Sequence, residues 1–584
     1  MNVYFNEYNL RMGDLCYLPL VSGLLRAQAE TSEIIRTNYH FKPFIYAVDS
    51  ASEIFSRYDE PPSVAAFSVY MWNEQLSLYV AEEIKRKWPE CLIVMGGMQV
   101  PYSPEDYFRR YQFIDVAVRG EGEEPFSEIL IRLLDGWNFE GLAGIAWRNK
   151  DDCVINTSER EYVKDLDTHP SPYLEGLYDD LVTSGKFQTI IETNRGCSFK
   201  CTFCAWGRGG LTVKYKFHGL DRVKKELEWC ARNKIPYIFN ADSNFGMHPR
   251  DEEIAEYLVQ LKTETGYPEK FRTCYGKNTN DRIFKIGSLL HAHELDKGIT
   301  LARQSNDPIV LQNIKRGNIS METYRTLQTR FNEAKIPIYT ELILGLPGET
   351  KETWRNAIED LLSAGLKNQL FIYFCQILPN TDMADLDYRL KFGIETRRIR
   401  LSEIHSSVRK SSWMNEYEDI IVSTNSMPLS DWRDLAVLSW MTMLMHSLKL
   451  GYFVMEWLVG NRGVSRIDFL TSLVSAKEGS IARLVEWFYA KVDRMLEGEG
   501  RGCIVCGDIY WDVEEAAFIK CMLDADNFFF DLAEIADVPK EVIDYQRSRI
   551  PTVEMFDNIE RWATETIVFG RKSGTLLLPD KIAA

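Results

Sequence analysis

Segments typical of strands and helices alternate along most of the first 390 residues of this 584-residue chain, and this alternation restricts the fold more than any other feature. Such βαβ spacing predicts parallel sheets with helices packed on both faces. The first series predicts an α/β, doubly wound (Rossmann-like) domain over residues 1–165, with its last helix starting near Glu123. Its strands are predicted at residues 2–5, 41–46, 64–69, 92–95 and 113–118, and its other helices at 18–30, 51–57, 75–88 and 104–110.

A second series follows a proline-containing linker at residues 166–186. Its six strands are too few for an eight-stranded barrel, so they predict a partial (β/α)6 barrel over residues 187–390. These strands are predicted at residues 188–193, 237–240, 271–274, 298–301, 338–344 and 370–376. Beyond residue 391 the strand signal fades, and helical patterns predict a mainly α-helical domain to residue 584.

Charge and composition exclude several classes of partner. The chain has 68 Lys and Arg against 85 Asp and Glu, a net charge of −17, and such a field repels nucleic-acid phosphates and anionic lipids. The most apolar helical run, residues 435–445, is shorter than the roughly 20 residues that a membrane span needs. Twelve cysteines are too few for a disulfide scaffold, and the first ten residues do not resemble a signal peptide. We therefore predict a cytoplasmic protein without nucleic-acid or membrane partners.

Glycine-rich and polar loops follow three predicted strands of the first domain. In an open parallel sheet, the ligand crevice lies at the carboxyl ends of the strands. Ordinary turn glycines would explain any one of these loops, but three loops at one edge favour a bound ligand. The loops are Trp72-Asn73, Gly96-Gly97-Met98-Gln99 and Arg119-Gly120-Glu121-Gly122-Glu123.

Three cysteines follow the first barrel strand directly. Cys197, Cys201 and Cys204 are separated by three and then two residues, so their thiolates can converge on one metal centre. Gly196 and Gly207 give this loop room to wrap around it. Four thiolates would complete a cubane cluster or a structural zinc, whereas three leave a position open for an outside ligand. Buried structural thiols, or zinc with a distant fourth ligand, are the alternatives.

This spacing, with Phe203 directly before the third cysteine, resembles the radical S-adenosylmethionine (SAM) superfamily. The resemblance implies a [4Fe-4S] cluster on Cys197, Cys201 and Cys204, with SAM bound to its open iron. The glycine-glycine-glutamate usual after the second strand is absent, and residues 240–246 look instead like the variant of the cobalamin-linked branch. The SAM contacts implied by the resemblance are Phe203, Asp242, Asn244, Gln304, Ser305, Arg316, Ile343 and Leu344.

A doubly wound domain before such a barrel resembles the cobalamin-dependent (class B) radical SAM methyltransferases, over about the first 385 residues. The loop after the first strand, residues 6–14, lacks the histidine with which other cobalamin proteins ligate cobalt. We therefore expect cobalt without a histidine ligand. His169 follows an aspartate as in that motif, but it lies in the linker. The implied cobalamin contacts are Arg11, Trp72, Asn73, Gly96, Gly97, Gln99, Val100, Gly120 and Glu121, although a surface position would explain Arg11 equally well.

The resemblance implies a methyltransferase that moves a methyl group from SAM, by way of methylcobalamin, to an unactivated carbon or phosphorus. The substrate would be a natural product or a peptide, and an electron donor such as flavodoxin or ferredoxin would reduce the cluster. Non-methylating radical chemistry (cyclisation, ring contraction or epimerisation) is the alternative, and a non-catalytic cobalamin sensor is a third. Cys503, Cys506 and Cys521 could ligate a second metal, but buried structural thiols explain them better.

Overall fold

The computed structural model describes residues 1–12, 14–206, 214–276, 281–296, 298–401, 410, 412–505, 510–551 and 559–572. Gly207 and Cys506, which appear in the predictions above, lie outside these ranges. The N-terminal helices are α1 (Leu20–Ala29), α2 (Glu33–Asn38), α3 (Ala51–Phe55), α4 (Glu74–Lys87), α5 (Glu105–Arg110) and α6 (Glu123–Leu134). The strands are β1 (Asn2–Asn9), β2 (Arg11–Met12), β3 (Leu15–Tyr17), β4 (His40–Phe41), β5 (Ile45–Ala47), β6 (Val64–Ser68), β7 (Leu92–Gly96), β8 (Val116–Val118), β9 (Ile145–Arg148) and β10 (Val154–Asn156).

The N-terminal sheet has the order β10-β9-β8-β7-β6-β1-β4, with β5 also paired to β1. Its strands from β4 to β8 are parallel, as predicted, whereas β9 and β10 add an antiparallel edge that the sequence analysis missed. The predicted strand at residues 41–46 is divided in two around Pro43, because proline has no N–H to donate to a ladder. A doubly wound α/β domain is confirmed.

The barrel strands form two groups of parallel strands, and the two-residue β2 adds an antiparallel edge to the first of them. One has the order β15-β14-β11-β3-β2 and the other β16-β17-β18. The first group contains β3 from the N-terminal region, which pairs with β11 through Phe187–Cys16 and Gln188–Tyr17. The six predicted strands correspond to β11 (Phe187–Ile191), β14 (Tyr237–Phe245), β15 (Lys270–Tyr275), β16 (Ile299–Thr300), β17 (Ile338–Leu344) and β18 (Leu370–Phe374), while β12 (Asn194–Arg195) and β13 (Lys216–Phe217) form a small ladder.

Helices connect these strands and cover their outer face. A single cluster of buried apolar side chains extends from Val3 in the N-terminal sheet to Trp432 in the C-terminal helices. The domain boundaries given above stay predictions. The helices of this region are α7 (Asp179–Ser184), α8 (Leu220–Arg232), α9 (Arg250–Thr265), α10 (Asp281–Ala292), α11 (Pro308–Asn313), α12 (Met321–Glu333), α13 (Lys351–Ser363) and α14 (Leu386–Phe392).

The C-terminal region is mainly helical, as predicted, but it begins with an antiparallel pair of strands, β19 (Glu395–Arg400) and β20 (Tyr417–Ser423). Four of the six residues of β19 are charged, so hydrophobic periodicity could not reveal it. Cys503 and Cys521 are buried. The helices are α15 (Leu429–Thr442), α16 (Tyr452–Arg462), α17 (Arg466–Val474), α18 (Gly479–Leu496), α19 (Val513–Leu523), α20 (Ala525–Ala536), α21 (Lys540–Ser548) and α22 (Ile559–Lys572), and a π-helical turn, Met443–Ser447, continues α15.

Within the described ranges, no helix is both long enough and apolar enough to cross a membrane.

Gly23 marks the contact between α1 and the segment before the barrel. A Cβ atom there would lie 1.8 Å from the Tyr178 hydroxyl oxygen, which itself donates a hydrogen bond to the Pro19 carbonyl at 2.8 Å. We expect Gly23→Ala to destabilise the protein by about 1–3 kcal/mol through overpacking. The control is Gly460→Ala on the exposed side of α16, where no atom lies within 4 Å of the added methyl, so a stabilisation of about 0.5–1 kcal/mol is expected. Thermal and denaturant unfolding would measure both, and equal effects would contradict the packing described.

Candidate active site

The three cysteines lie on a loop that is held from both sides. Cys197 and Cys201 are only 3% and 5% exposed, whereas Cys204 is half-buried. Between them, the Thr202 N–H donates to the Ile314 carbonyl at 3.0 Å, and the Thr202 carbonyl accepts from the Met383 N–H at 3.0 Å. The loop is therefore fixed to the end of α11 and to the segment after β18.

Asp242 fixes the start of this loop from the neighbouring strand β14. Its Oδ1 accepts from the backbone N–H groups of Thr193 at 2.8 Å and Asn194 at 3.1 Å, and its Oδ2 accepts from the Thr193 hydroxyl. The side chain is fully buried, and burial raises the pKa of its carboxyl to about 7. These contacts make Asp242 a residue that positions the cysteine loop, and the SAM contact predicted for it stays a prediction.

Asn244 and Ser243 contact the loop next to the first cysteine. Asn244 Nδ2 lies 3.3 Å from Cys197 Sγ and 3.0 Å from the Tyr215 hydroxyl, and the Ser243 hydroxyl donates to the Gly196 carbonyl at 2.7 Å. Asn244 Oδ1 is buried without a hydrogen-bond partner. A buried carbonyl oxygen of this kind is satisfied by a ligand donor such as an amine.

Gln304 and Arg316 lie on the opposite side of the cysteines. Gln304 has φ +66°, its Nε2 lies 3.5 Å from Glu341 Oε2, and its Oε1 is buried without a partner. Arg316 is 5% exposed, donates to the Ala302 carbonyl at 2.6 Å and interacts electrostatically with Cys201. Burial lowers the pKa of Arg316, and the nearby sulfur opposes this effect. Of these two predicted SAM contacts, Arg316 interacts directly with the cysteine loop.

The other predicted SAM contacts have different surroundings. The Ser305 hydroxyl is fully buried and donates to Glu349 at 2.8 Å, so it faces away from the cysteines. Leu344 is also fully buried, whereas Ile343 is half-buried on the other face of β17. Phe203 packs against the small apolar cluster around Leu346. Of the predicted SAM contacts, the structure therefore places only some, such as Asn244 and Arg316, against the cysteines.

The cysteine loop fits an iron–sulfur cluster. Among the described residues, no three His, Cys, Asp or Glu side chains are arranged to hold one metal ion. A cubane cluster does not require this, because each of its thiolates ligates a different iron. Two buried carbonyl oxygens without a hydrogen-bond partner, Asn244 Oδ1 next to Cys197 and Gln304 Oε1 beside β17, are available as acceptors for a polar ligand.

The predicted cobalamin contacts lie at the carboxyl ends of β6, β7 and β8. Trp72 is half-buried and stacks on Tyr70, with ring centroids 4.6 Å apart and planes within 1° of parallel. Gly97 has φ +107°, and a Cβ there would lie 2.6 Å from the Val69 carbonyl oxygen, so the two loops approach too closely for any other residue. Gly96 is partly exposed and Gly120 exposed at this edge. These flat, side-chain-free surfaces fit a planar macrocycle.

Several predicted cobalamin contacts are instead occupied within the protein. Asn73 is fully buried and bonds to the carbonyls of Tyr8 and Ser68 at 3.3 and 3.1 Å. Val100 is buried, and its carbonyl accepts from Asn380 Nδ2 at 2.9 Å. Two more have partners within the protein, since Gln99 Nε2 lies 3.4 Å from Glu74 and Glu121 is ion-paired with Arg195 and Lys216. Arg11 is exposed on β2 and not on the loops after β6, β7 and β8.

On the open face of the barrel sheet, the predicted contacts include Ile343 and omit the other side chains. Along β17 the half-buried residues alternate with fully buried ones that pack against helices, which puts Tyr339, Glu341 and Ile343 on the open face. Phe371 stacks on Tyr373 and lies at 55° to the ring of Tyr339, with ring centroids 6.1 Å apart in both pairs. Arg272 is exposed on β15. The period of two within each strand was the signal that could have identified this face.

Comparison with known proteins agrees with this arrangement. The radical SAM superfamily model matches residues 191–361, and the B12 binding domain model matches residues 21–130. The chain is 36% identical over 431 residues to the cobalamin-dependent radical SAM methyltransferase TokK of Streptomyces tokunonensis. It is 36% identical over 435 residues to the 2-(S-pantetheinyl)-carbapenam-3-carboxylate methyltransferase of Streptantibioticus cattleyicolor. Each match covers 73% of this chain and 63% of the relative, so the chain spans less than two thirds of the length of these relatives.

A solved structure shows the same fold. The cobalamin-dependent S-adenosylmethionine radical enzyme OxsB, with aqua-cobalamin and S-adenosylmethionine bound, aligns with a TM-score of 0.56 at 15% identity. The alignment covers 98% of this chain and 84% of that chain. The cofactors of such proteins are a [4Fe-4S] cluster, SAM and cobalamin. The chain therefore combines a B12 binding domain with a radical SAM domain, and it is similar in sequence to cobalamin-dependent radical SAM methyltransferases.

Proposed function

We propose that this chain transfers a methyl group from SAM, by way of bound cobalamin, to a carbon of a small-molecule substrate. The contact between the loops at the carboxyl ends of the two parallel sheets carries this proposal. Arg195, two residues before Cys197, bonds to Glu121 and Glu123 after β8, and Asn380 after β18 bonds to Val100 and Tyr102 after β7. The residues suited to cobalamin and to SAM therefore border one another.

The cofactors, when bound, supply the radical and methyl-carrier chemistry, and the protein positions them and excludes water. Cys197, Cys201 and Cys204 would hold the cluster. Asn244 Oδ1 and Gln304 Oε1 would accept hydrogen bonds from polar groups of SAM, since both are buried and unpartnered. Trp72, Gly96, Gly97 and Gly120 would contact the corrinoid. Residues 6–14, which include the last four residues of β1 and the segment after it, contain no histidine, in keeping with cobalt that has no histidine ligand.

The substrate we propose is a small molecule with a carboxylate group. The relative from Streptantibioticus cattleyicolor is named for a carbapenam-3-carboxylate substrate. Here, Arg272 is an exposed cation on the open face of the barrel sheet, close enough to Tyr373 to affect its pKa. A guanidinium can bind a carboxylate with two parallel hydrogen bonds, and the neighbouring rings of Tyr339, Phe371 and Tyr373 offer an apolar surface beside it.

The proposal includes a protein electron donor such as flavodoxin or ferredoxin, because the cluster must receive an electron in each radical cycle. It also includes a reducing, cytoplasmic setting, because an open-site cluster is sensitive to oxygen.

Cys201→Ala should abolish both 5′-deoxyadenosine and methylated product, because the cluster loses one of its three protein ligands. Iron and sulfide content after anaerobic reconstitution, followed by mass spectrometry of the products, would measure this. Cys230→Ala is the matched control, since that thiol is fully buried on α8 and belongs to the apolar core. If either product persisted in the Cys201 variant at the wild-type rate, the cluster assignment would be wrong.

SAM with a deuterated methyl group distinguishes methyl transfer from other radical chemistry. We expect the product to carry the deuterated methyl, because SAM is the proposed methyl source. Mass spectrometry of the product formed from 2-(S-pantetheinyl)-carbapenam-3-carboxylate, used as the probe substrate, would detect it. A product without deuterium would point instead to cyclisation, ring contraction or epimerisation.

Arg272→Met should raise KM for the same probe by about tenfold to a hundredfold, the range expected for losing hydrogen bonds to a charged group. Steady-state kinetics would measure KM, while substrate-free 5′-deoxyadenosine formation should stay near the wild-type rate. Arg325→Met, on the exposed face of α12, removes the same charge far from the sheet face and should leave KM unchanged. An unchanged KM in the Arg272 variant would contradict the assigned carboxylate contact.

A further inference from the structure

A buried group of charges connects the cobalamin side of the molecule with the cysteine loop. We call it the Arg195 cluster, and its members are Glu121, Glu123, Glu192, Arg195 and Lys216. Each of these five side chains is less than 20% exposed. None of their ionic groups belongs to the set of side chains around the cysteines described above.

Arg195 is the centre of this cluster. Its Nη2 donates to Glu123 Oε1 at 2.7 Å, its Nη1 to Glu121 Oε1 at 3.3 Å, and its Nε to Glu192 Oε1 at 3.0 Å. Lys216 forms a second ion pair with Glu121. Each of the three guanidinium nitrogens thus donates to a different carboxylate, and a lysine ammonium cannot reproduce this planar geometry.

The pairing with Arg195 opposes burial to different extents at two of the carboxyl groups, because the pKa of Glu192 is still raised by burial whereas that of Glu123 is lowered. Burial alone would raise the pKa of Glu123, but the adjacent Arg195 outweighs burial and lowers that pKa to about 2. Two cations face three carboxylates, so removing Arg195 alone would leave buried negative charges without a partner. Because each side chain of the cluster needs its ion partner, the five side chains have few alternative conformations.

The members come from loops that must keep a fixed separation. Glu121 and Glu123 lie between the end of β8 and the first turn of α6, at the edge suited to cobalamin. Glu192 and Arg195 lie between the end of β11 and Cys197, and Lys216 pairs with Arg195 across the β12–β13 ladder. The Val163 N–H also donates to Glu121 Oε2 at 3.2 Å, so a third segment, after β10, holds Glu121 in place.

We propose that Arg195 is a positioning residue that sets the separation between the cobalamin edge and the cysteine loop. This inference rests on the proposed function, since a fixed separation is useful only if both cofactors act on one substrate. Reacting groups need placement to about 1 Å, and an error of that size can cost about 10²-fold in rate.

The test compares two charge-neutral double variants. Glu123→Gln with Arg195→Met breaks the pair across the two loops. Glu124→Gln with Arg160→Met is the matched control. Glu124 follows Glu123 on α6, and its Oε2 lies 2.7 Å from Nη2 of Arg160, a residue after β10 that is not part of the cysteine loop. In each holoprotein, pulsed electron paramagnetic resonance would measure the distance distribution between Co(II) of cobalamin and the reduced [4Fe-4S] cluster.

We expect the distribution to be narrow in the wild type and in the control, and at least about twofold broader or shifted by about 1 Å in the Arg195 variant. Methylated product per 5′-deoxyadenosine should fall about tenfold or more in that variant alone. If the double variant does not retain both cofactors, Arg195→Lys keeps the charge and is measured in the same way. An unchanged distance distribution in the variant that holds both cofactors overturns the proposal. If the wild type makes no methylated product but the distance distribution still broadens in the Arg195 variant, methyl transfer is rejected and the positioning role of Arg195 stands.

Discussion

Backbone pairing between β3 and β11 is the contact on which the rest of the architecture depends. Only five residues separate the end of β1 in the N-terminal sheet from β3, which is already a strand of the barrel sheet. The Leu18 N–H extends the pairing by donating to the Gln188 carbonyl at 3.0 Å. Because a hydrogen-bonded ladder does not slide without losing its bonds, the two sheets cannot move independently at this point. The loops after β7, β8, β11 and β18 can then meet.

The pKa values of buried carboxyl groups in this part of the molecule are shifted in two different directions. Asp242 and Glu349 are held by hydroxyl or N–H donors, and burial raises the pKa of each to about 7. Glu123 lies against Arg195, and its pKa is lowered to about 2 despite burial. An acid next to a thiolate-bound cluster is best kept close to neutral, since like charges repel strongly where water is scarce. The charged carboxylates are instead gathered around Arg195, where a cation balances them.

The sequence predicted the parts of the fold that local patterns determine. The strand β17 coincides with its predicted bounds, residues 338–344, because it is long and bounded by clear turn signals. The strands β2 and β3 were missed because two or three residues show no periodicity, and the partner of β3 lies about 170 residues later. The cysteine spacing indicated the site directly. Glu121 was predicted to contact cobalamin because of its loop, but its ion partners Arg195 and Lys216 are distant in sequence and could not be foreseen.

The same division bears on where the proposed substrate would be recognised. Groups suited to the cofactors sit on loops after strands, where short motifs identify them, whereas the open face of the barrel sheet is built from every second residue of several strands. The C-terminal region adds charges to that face, since Asp512 and Arg501 act on Tyr373 together with Glu341 and Arg272, and Arg501 is itself held by Glu418 of β20 at 2.9 Å. Substitutions in this region can therefore alter the charge and shape next to the substrate while the cysteine loop and the cobalamin edge stay unchanged. A family built in this way can keep its radical chemistry and exchange its substrates.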